Sequence, residues 1–195
     1  ICGGYGDKQL FNHLSLLLRR GESAALIGPN GTGKTTLFQM IMGKKEFDKG
    51  HVTLGSRVHV GYFAQEHTEL HGTWSVMEEI MNEFSYSEED ARAVLGGFLF
   101  RGDDVYKRID TLSGGEQARL ALLKLFLHGP NFLILDEPTN HLDIPTREIL
   151  EQALVDFGGT YLVVSHDRYF LDKIAGRMLV LENKKLKEYL GNYTY

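Results

Sequence analysis

Ser23-Ala24-Ala25-Leu26-Ile27-Gly28-Pro29-Asn30-Gly31-Thr32-Gly33-Lys34-Thr35-Thr36-Leu37-Phe38 decides the fold. Ser23 to Ile27 is a short apolar run with strand character, and it passes directly into a glycine-rich loop. From Lys34 to Met42 the apolar positions Leu37, Met40 and Ile41 recur at helical spacing, and Gly43 ends the run. Strand, glycine loop and helix in that order make a phosphate-binding loop: bare glycines let backbone N–H groups converge on phosphate oxygens, and the helix dipole favours the anion. Lys34 is placed to neutralise β- and γ-phosphates and the Thr35 hydroxyl to ligate Mg²⁺. Gly28, Pro29, Asn30, Gly31, Thr32, Gly33, Lys34, Thr35 and Thr36 are therefore the nucleotide-binding candidates.

A phosphate loop needs a carboxylate partner, and Leu133-Ile134-Leu135-Asp136-Glu137 supplies one at the end of a buried strand, where ligands sit in open α/β sheets. Asp136 is expected to hold Mg²⁺, directly or through water, and Glu137 to polarise the attacking water. Two adjacent carboxylates at a strand end are costly unless a cation or a reaction uses them. Val163-Val164-Ser165-His166 repeats the device, so His166 is a candidate donor to the γ-phosphate, although a lone histidine is more often structural. Gln65, just after a predicted strand ending at Phe63, has an amide of suitable length for both Mg²⁺ and the water. In Leu112-Ser113-Gly114-Gly115-Glu116-Gln117, Ser113 is a natural N-cap and the glycines leave N–H groups open to an anion.

The remaining pattern predicts further strands at Leu14–Leu18, His51–Leu54 and Arg57–Phe63, the last two forming a hairpin about Gly55-Ser56. Helices are expected over Val76–Phe84, Glu88–Leu99 and Glu116–Leu127, with Ser87 and Asp90 as a cap. Two fully buried strands, Phe132–Leu135 and Tyr161–Val164, flank a helix at Thr146–Val155, and a closing hairpin turns at Asn183. The expected architecture is α/β: a mostly parallel sheet flanked by helices, an antiparallel β subdomain near the N-terminus, and a helical lobe at 73–128 between core segments 1–72 and 129–195.

At 195 residues the chain is long enough for one large domain with a real core. A formal charge of −5 argues against a surface devoted to nucleic-acid backbones, so any such contact must be local. The single cysteine, Cys2, cannot form an internal disulfide and fits a reducing compartment such as the cytoplasm. No apolar run reaches the ~20 residues of a membrane span. Ile1 at the start reads as an excision point within a longer protein.

Taken together, the phosphate loop, Gln65, the Ser-Gly-Gly segment, Asp136-Glu137 and His166, in that order, resemble the ABC ATPases, a family of the P-loop NTPase fold whose signature is that Ser-Gly-Gly sequence. The resemblance implies a head-to-tail pair of domains with two ATP molecules between them. Ser113, Gly114 and Gly115 would then cap the nucleotide of the opposite domain, Asp143 would lie on the loop crossing the interface, and Tyr5, upstream of the phosphate loop, would stack on adenine. The stretches Glu137-Pro138-Thr139-Asn140-His141-Leu142-Asp143 and Ser165-His166-Asp167-Arg168-Tyr169-Phe170-Leu171-Asp172 resemble the ABC-F type, as does the ending Tyr189-Leu190-Gly191-Asn192-Tyr193-Thr194-Tyr195. That type implies a soluble two-domain protein acting on the ribosome, with this chain as its C-terminal domain and the second ABC domain on the same polypeptide or in a homodimer. The alternative is the nucleotide-binding subunit of a membrane transporter.

Overall fold

The structure is a computed structural model, describing residues 2–5, 8–64, 70–140 and 142–191, with the backbone alone at residues 4, 5 and 8. The chain divides into two compact units, one of residues 1–62, 130–138 and 157–195 and one of residues 63–129 and 139–156. Among the described residues no helix is long and apolar enough to cross a membrane.

The first unit is built on a six-stranded sheet. In chain order its strands are β3 (Ser23–Ile27), β4 (Val60–Ala64), β5 (Phe132–Asp136), β6 (Thr160–Val164), β7 (Arg177–Glu182) and β8 (Lys185–Leu190), and in space they run β4-β5-β6-β3-β7-β8. β5 pairs parallel with β6, and β3 lies parallel between β6 and β7. Strands covered on both faces must be apolar throughout; all five residues of β6 and the first four of β5 are buried. β8 is antiparallel to β7 and joined to it through Asn183 and Lys184, both at positive φ, the geometry of a two-residue hairpin turn. Helix α1 (Lys34–Ile41) packs Leu37, Phe38 and Met40 into the same core as Phe11, Leu26, Ile134 and Leu179. Two short antiparallel strands, β1 (Gly3–Tyr5) and β2 (Lys8–Phe11), precede the sheet and escaped sequence analysis because three or four residues with two glycines give no alternation to read.

Two predicted strands are absent and a third, Arg57–Phe63, is shortened to β4. Leu14–Leu18 forms no strand: Leu14 is buried, but the Leu17 carbonyl accepts from Arg177 Nη1 (3.0 Å). His51–Leu54 forms no strand, and the Gly55 region makes a turn closed by Val58 N–H to Gly55 O (3.0 Å). At residues 57–59 the Asn131 side chain takes the ladder's place, donating to Arg57 O (2.7 Å) and accepting from His59 N–H (2.8 Å), so β4 starts only at Val60.

The second unit is helical. It contains α2 (Val76–Phe84), α3 (Glu88–Gly97), α4 (Gly114–Leu127) and α5 (Ile144–Asp156), and the first three contribute to a core that includes Val76, Ile80, Leu95, Phe100, Ile109, Leu120 and Leu123. Each start is encoded locally. Ser75 with Glu78, and Ser113 with Glu116, form reciprocal capping boxes, and Ser87 caps α3 by accepting from Asp90 N–H (3.1 Å). α3 stops two residues short of the predicted end because Leu99 takes a left-handed φ of 61°. Glu79, wholly buried in α2, is held by Lys124 of α4 and by His71 Nδ1 (3.0 Å), while Lys124 also meets Glu83 (2.8 Å). α6 (Arg168–Ile174), in the first unit, was not expected; Asp167 caps it by accepting from Phe170 N–H (3.1 Å).

Candidate functional site

The turn from β3 into α1 is shaped by contacts that only glycine tolerates. A Cβ on Gly28 would run into the backbone carbonyl oxygen of Leu181 in β7, with the carbonyl carbon at 3.3 Å. A Cβ on Gly33, which sits at φ 101° as the N-cap of α1, would meet Phe11 Cζ at 2.9 Å and Leu10 Cδ1 at 3.0 Å. The loop is thus pinned between the sheet and the core, and its backbone is free to face outward. The first intrahelical bond of α1 is Leu37 N–H to Gly33 O (2.8 Å), so the N–H groups of Lys34, Thr35 and Thr36 precede the ladder. Thr32 Oγ1 donates to Pro29 O (2.9 Å), which braces the loop from inside.

Lys34, Thr35, Asp136, Glu137 and His166 lie around the strand ends of the first unit. Lys34 Nζ folds back over the loop and donates to Gly28 O (2.8 Å) and Pro29 O (3.1 Å). Thr35 Oγ1 donates to Asp136 Oδ2 (2.8 Å), so the two expected Mg²⁺ ligands, 101 residues apart in sequence, touch. Burial pushes the Asp136 carboxyl above its ordinary value, against the Thr35 hydrogen bond and the Lys34 charge, which pull it down. A partly buried carboxylate that costs stability in this way is one that gains from a cation. Tyr62 of β4 carries no signal of the site in its sequence context; burial, with the Asp136 charge, pushes its phenol up to about 12.

Glu137 follows β5 at φ 51°, an unusual conformation for a residue with a side chain, and its N–H donates to Val164 O (2.8 Å). This turn carries the carboxylate to the end of β6, where Glu137 Oε2 accepts from His166 N–H (3.2 Å) and Oε1 lies 3.4 Å from His166 Nε2. His166 is exposed, so its ring remains available to a ligand.

The Ser-Gly-Gly segment lies in the second unit. Ser113 is the N-cap of α4: its Oγ accepts from Glu116 N–H (3.3 Å) and donates to Glu116 Oε2 (2.8 Å), and Glu116 Oε2 accepts from Ser113 N–H (2.8 Å). These bonds hold the Glu116 carboxyl below the usual range, backbone bond first. Gly114 and Gly115 open the helix, and nothing lies within 4 Å of a Cβ at Gly114. Asp143 caps the start of α5, accepting from Thr146 N–H (2.9 Å), and these bonds to Thr146 lower its carboxyl pKa. Gln65 lies outside the described residues; Tyr5 is in β1, but its side chain is not described.

A family model described as ABC transporter matches residues 11–140. The chain is 52% identical over 187 residues to the protein YdiF of Bacillus subtilis, covering 95% of this chain and 29% of that one. It is 42% identical to ABC transporter F family member 2 of Arabidopsis thaliana (98% of this chain, 29% of that protein). To the energy-dependent translational throttle protein EttA of Escherichia coli K12 it is 43% identical (97% and 35%). The chain therefore spans about a third of the length of these relatives. Among solved structures it is similar to the ATP-binding cassette MJ0796, in a dimeric post-hydrolysis state bound to ADP and Pi, with a TM-score of 0.74 and 21% identity over 97% of this chain and 94% of that one, a likeness of fold.

Proposed function

The chain belongs to the ABC transporter family, and from that premise we propose that it is an ATP-binding and ATP-hydrolysing domain that closes head to tail on a second ABC domain within a longer F-type protein acting on the ribosome. The observation that carries this is the contact of Thr35 with Asp136 across the phosphate loop, 2.8 Å, with Glu137 and His166 at the adjoining strand end. The pinned glycines at 28 and 33 and the hard oxygen pair Thr35 and Asp136 fit a triphosphate and an ion such as Mg²⁺, which keeps several waters and shares phosphate oxygens. When bound, Mg²⁺ draws charge from the phosphate oxygens and so eases phosphoryl transfer.

The chain's own residues do the rest. Lys34 exchanges its loop carbonyls for β- and γ-phosphate oxygens. Glu137 orients a water and takes its proton on a carboxylate oxygen, and His166 donates to the γ-phosphate. Gln65 would join the Mg²⁺ ligands, Tyr5 would stack on adenine, and Ser113, Gly114, Gly115 and Asp143 would act on the nucleotide held by the opposite domain. The 43% identity to a translational throttle protein, with 42% to an F-type member, supports translation as the setting, and a cytoplasmic location is part of this reading. Charge is compatible: the first unit carries 14 Lys and Arg against 10 Asp and Glu, the second 7 against 16, so the net −5 conceals a unit of +4.

The test uses the intact protein with Glu137→Gln and the equivalent change in its other ABC domain. ATP affinity should stay within about threefold while turnover falls ~10²–10⁴-fold, and the variant should co-sediment with purified ribosomes only when ATP is present. Normal turnover would remove Glu137 from the chemistry; fractionation with membranes instead of ribosomes would move the domain to the transporter branch.

A further inference from the structure

Arg19 and Arg20 stand just before β3, and Arg57 and His59 just before β4, at the strand ends away from the phosphate loop. All four are exposed. The strand order β4-β5-β6-β3 brings the two pairs onto one edge of the first unit, three strand spacings of ~4.8 Å or ~14 Å apart. A run of hydrogen bonds fixes them there. His59 O accepts from Asn131 N–H (3.0 Å) and Asn131 O from Thr160 N–H (3.1 Å). Thr160 Oγ1 accepts from Gly21 N–H (2.9 Å) and donates to Arg19 O (3.4 Å), and Asn131 Nδ2 donates to Arg57 O (2.7 Å). At this end Glu22 and Glu188 are both engaged by Arg177, and among the described residues no carboxylate pairs with the guanidinium of Arg19, Arg20 or Arg57.

We propose that this edge binds the phosphate backbone of duplex RNA, with Arg19, Arg20 and Arg57 as the contacts. The inference rests on the ribosomal reading above and gives it a surface. A guanidinium is always charged, and its planar fork meets two phosphate oxygens at once. A duplex carries a phosphate about every 3.4 Å of axis on each strand, so mounts ~14 Å apart address phosphates about four nucleotides apart. Duplex RNA is recognised mainly by shape and by its phosphates and 2′-hydroxyls, which suits a rigid edge with charged forks and the exposed Ser56 hydroxyl, and needs no base-reading element. The patch also reconciles a chain of net −5 with an anionic partner, since the positive charge is local. From Gly21 to Gly28, along β3 at ~3.3 Å per residue, the edge lies ~20 Å from the phosphate loop, so RNA and nucleotide are held at once.

The experiment titrates the intact protein with an RNA duplex of ~16 base pairs, followed by fluorescence anisotropy at ~50 to ~200 mM salt, beside co-sedimentation with purified ribosomes in ATP. Wild type should bind the duplex, with affinity falling steeply as salt rises. Arg19→Gln, Arg20→Gln and Arg57→Gln together should weaken duplex binding tenfold or more, flatten the slope of log affinity against log salt by ~2–3, and release the protein from ribosomes at lower salt, while ATP turnover stays within twofold. The hydrogen bonds that place these residues use their backbone atoms, so the melting curve should not move; the three lysine replacements, which keep the charge, should keep the slope. A wild type that ignores the duplex overturns the proposal, as does a glutamine variant with the wild-type affinity and slope. Loss of ribosome binding by Leu17→Ser, an exposed apolar side chain beside Arg19, with the salt slope unchanged, would overturn it in favour of a protein partner. A wild type that binds the duplex with this slope yet never co-sediments with ribosomes would sink the ribosomal setting alone, a separate failure.

Discussion

Substituting Gly28 and Gly31 by alanine separates two kinds of glycine in one loop. Gly31 sits at φ 75° with nothing within 4 Å of a built Cβ, so alanine there meets only the left-handed penalty, ~1–2 kcal/mol. The stiffer unfolded chain offsets ~0.4–1 kcal/mol of it. At Gly28 the new methyl would be driven into Leu181 O, and that carbonyl belongs to β7, held between β3 and β8. Overpacking against a backbone that cannot shift costs ~1–3 kcal/mol, and a glycine-specific φ of 158° adds a comparable strain, ~1–3 kcal/mol. For a domain of this size 1 kcal/mol moves the melting temperature by ~2–4 °C. With the same unfolded-chain offset at both positions, the midpoints of these ranges put Gly28→Ala about 10 °C below wild type and Gly31→Ala about 2 °C below, followed by circular dichroism without nucleotide. ADP affinity should fall more at Gly28, because relief of the clash must displace the loop. Equal melting of the two variants would refute the argument that β7 sets the loop's position.

Asp136→Asn should stabilise the ligand-free domain at pH 7. Burial raises the folded carboxyl's pKa, so the charged form opposes folding increasingly as pH rises from 3.8 to the folded value and steadily above it; the advantage of the variant should vanish below pH 3.8, and a constant difference across pH would sink the reasoning. The same variant should lose Mg²⁺-dependent ATP binding, read by calorimetry. Lys124→Met strands the buried Glu79 and should cost ~3–5 kcal/mol in urea unfolding, with Glu79→Leu added to it restoring most of the loss; a single-variant effect under ~1 kcal/mol would show that His71 alone satisfies Glu79.

Much of the site was legible because its residues sit where the chain changes period. Ile27 ends a strand and Lys34 starts a helix, and Asp136 and His166 follow runs that are buried residue by residue. Local chemistry also fixed the starts of α3 and α4, since Ser87 and Ser113 find their partners within three residues. What the pattern could not supply was partnership at a distance. Leu14–Leu18 is as apolar as a short strand should be, yet a guanidinium 160 residues away occupies the Leu17 carbonyl. Residues 57–59 lose their ladder to the Asn131 amide, 72 and 74 residues on. Tyr62 gave no signal because its neighbour Asp136 comes from another strand.

The threading of the chain has a consequence for exchange between relatives. Residues 63–129 and 139–156 form one helical unit but are separate stretches of sequence, and Arg119 of the first reaches Thr146 of the second (3.5 Å). The helical unit cannot be transplanted as a single cassette: a chimera that replaces 63–129 alone would inherit α5 from one parent and α4 from the other. Recombination should therefore tolerate crossovers that carry both stretches together, and the Glu137-Pro138 step, one residue before the chain re-enters that unit, is where such a graft must be joined without disturbing the carboxylate.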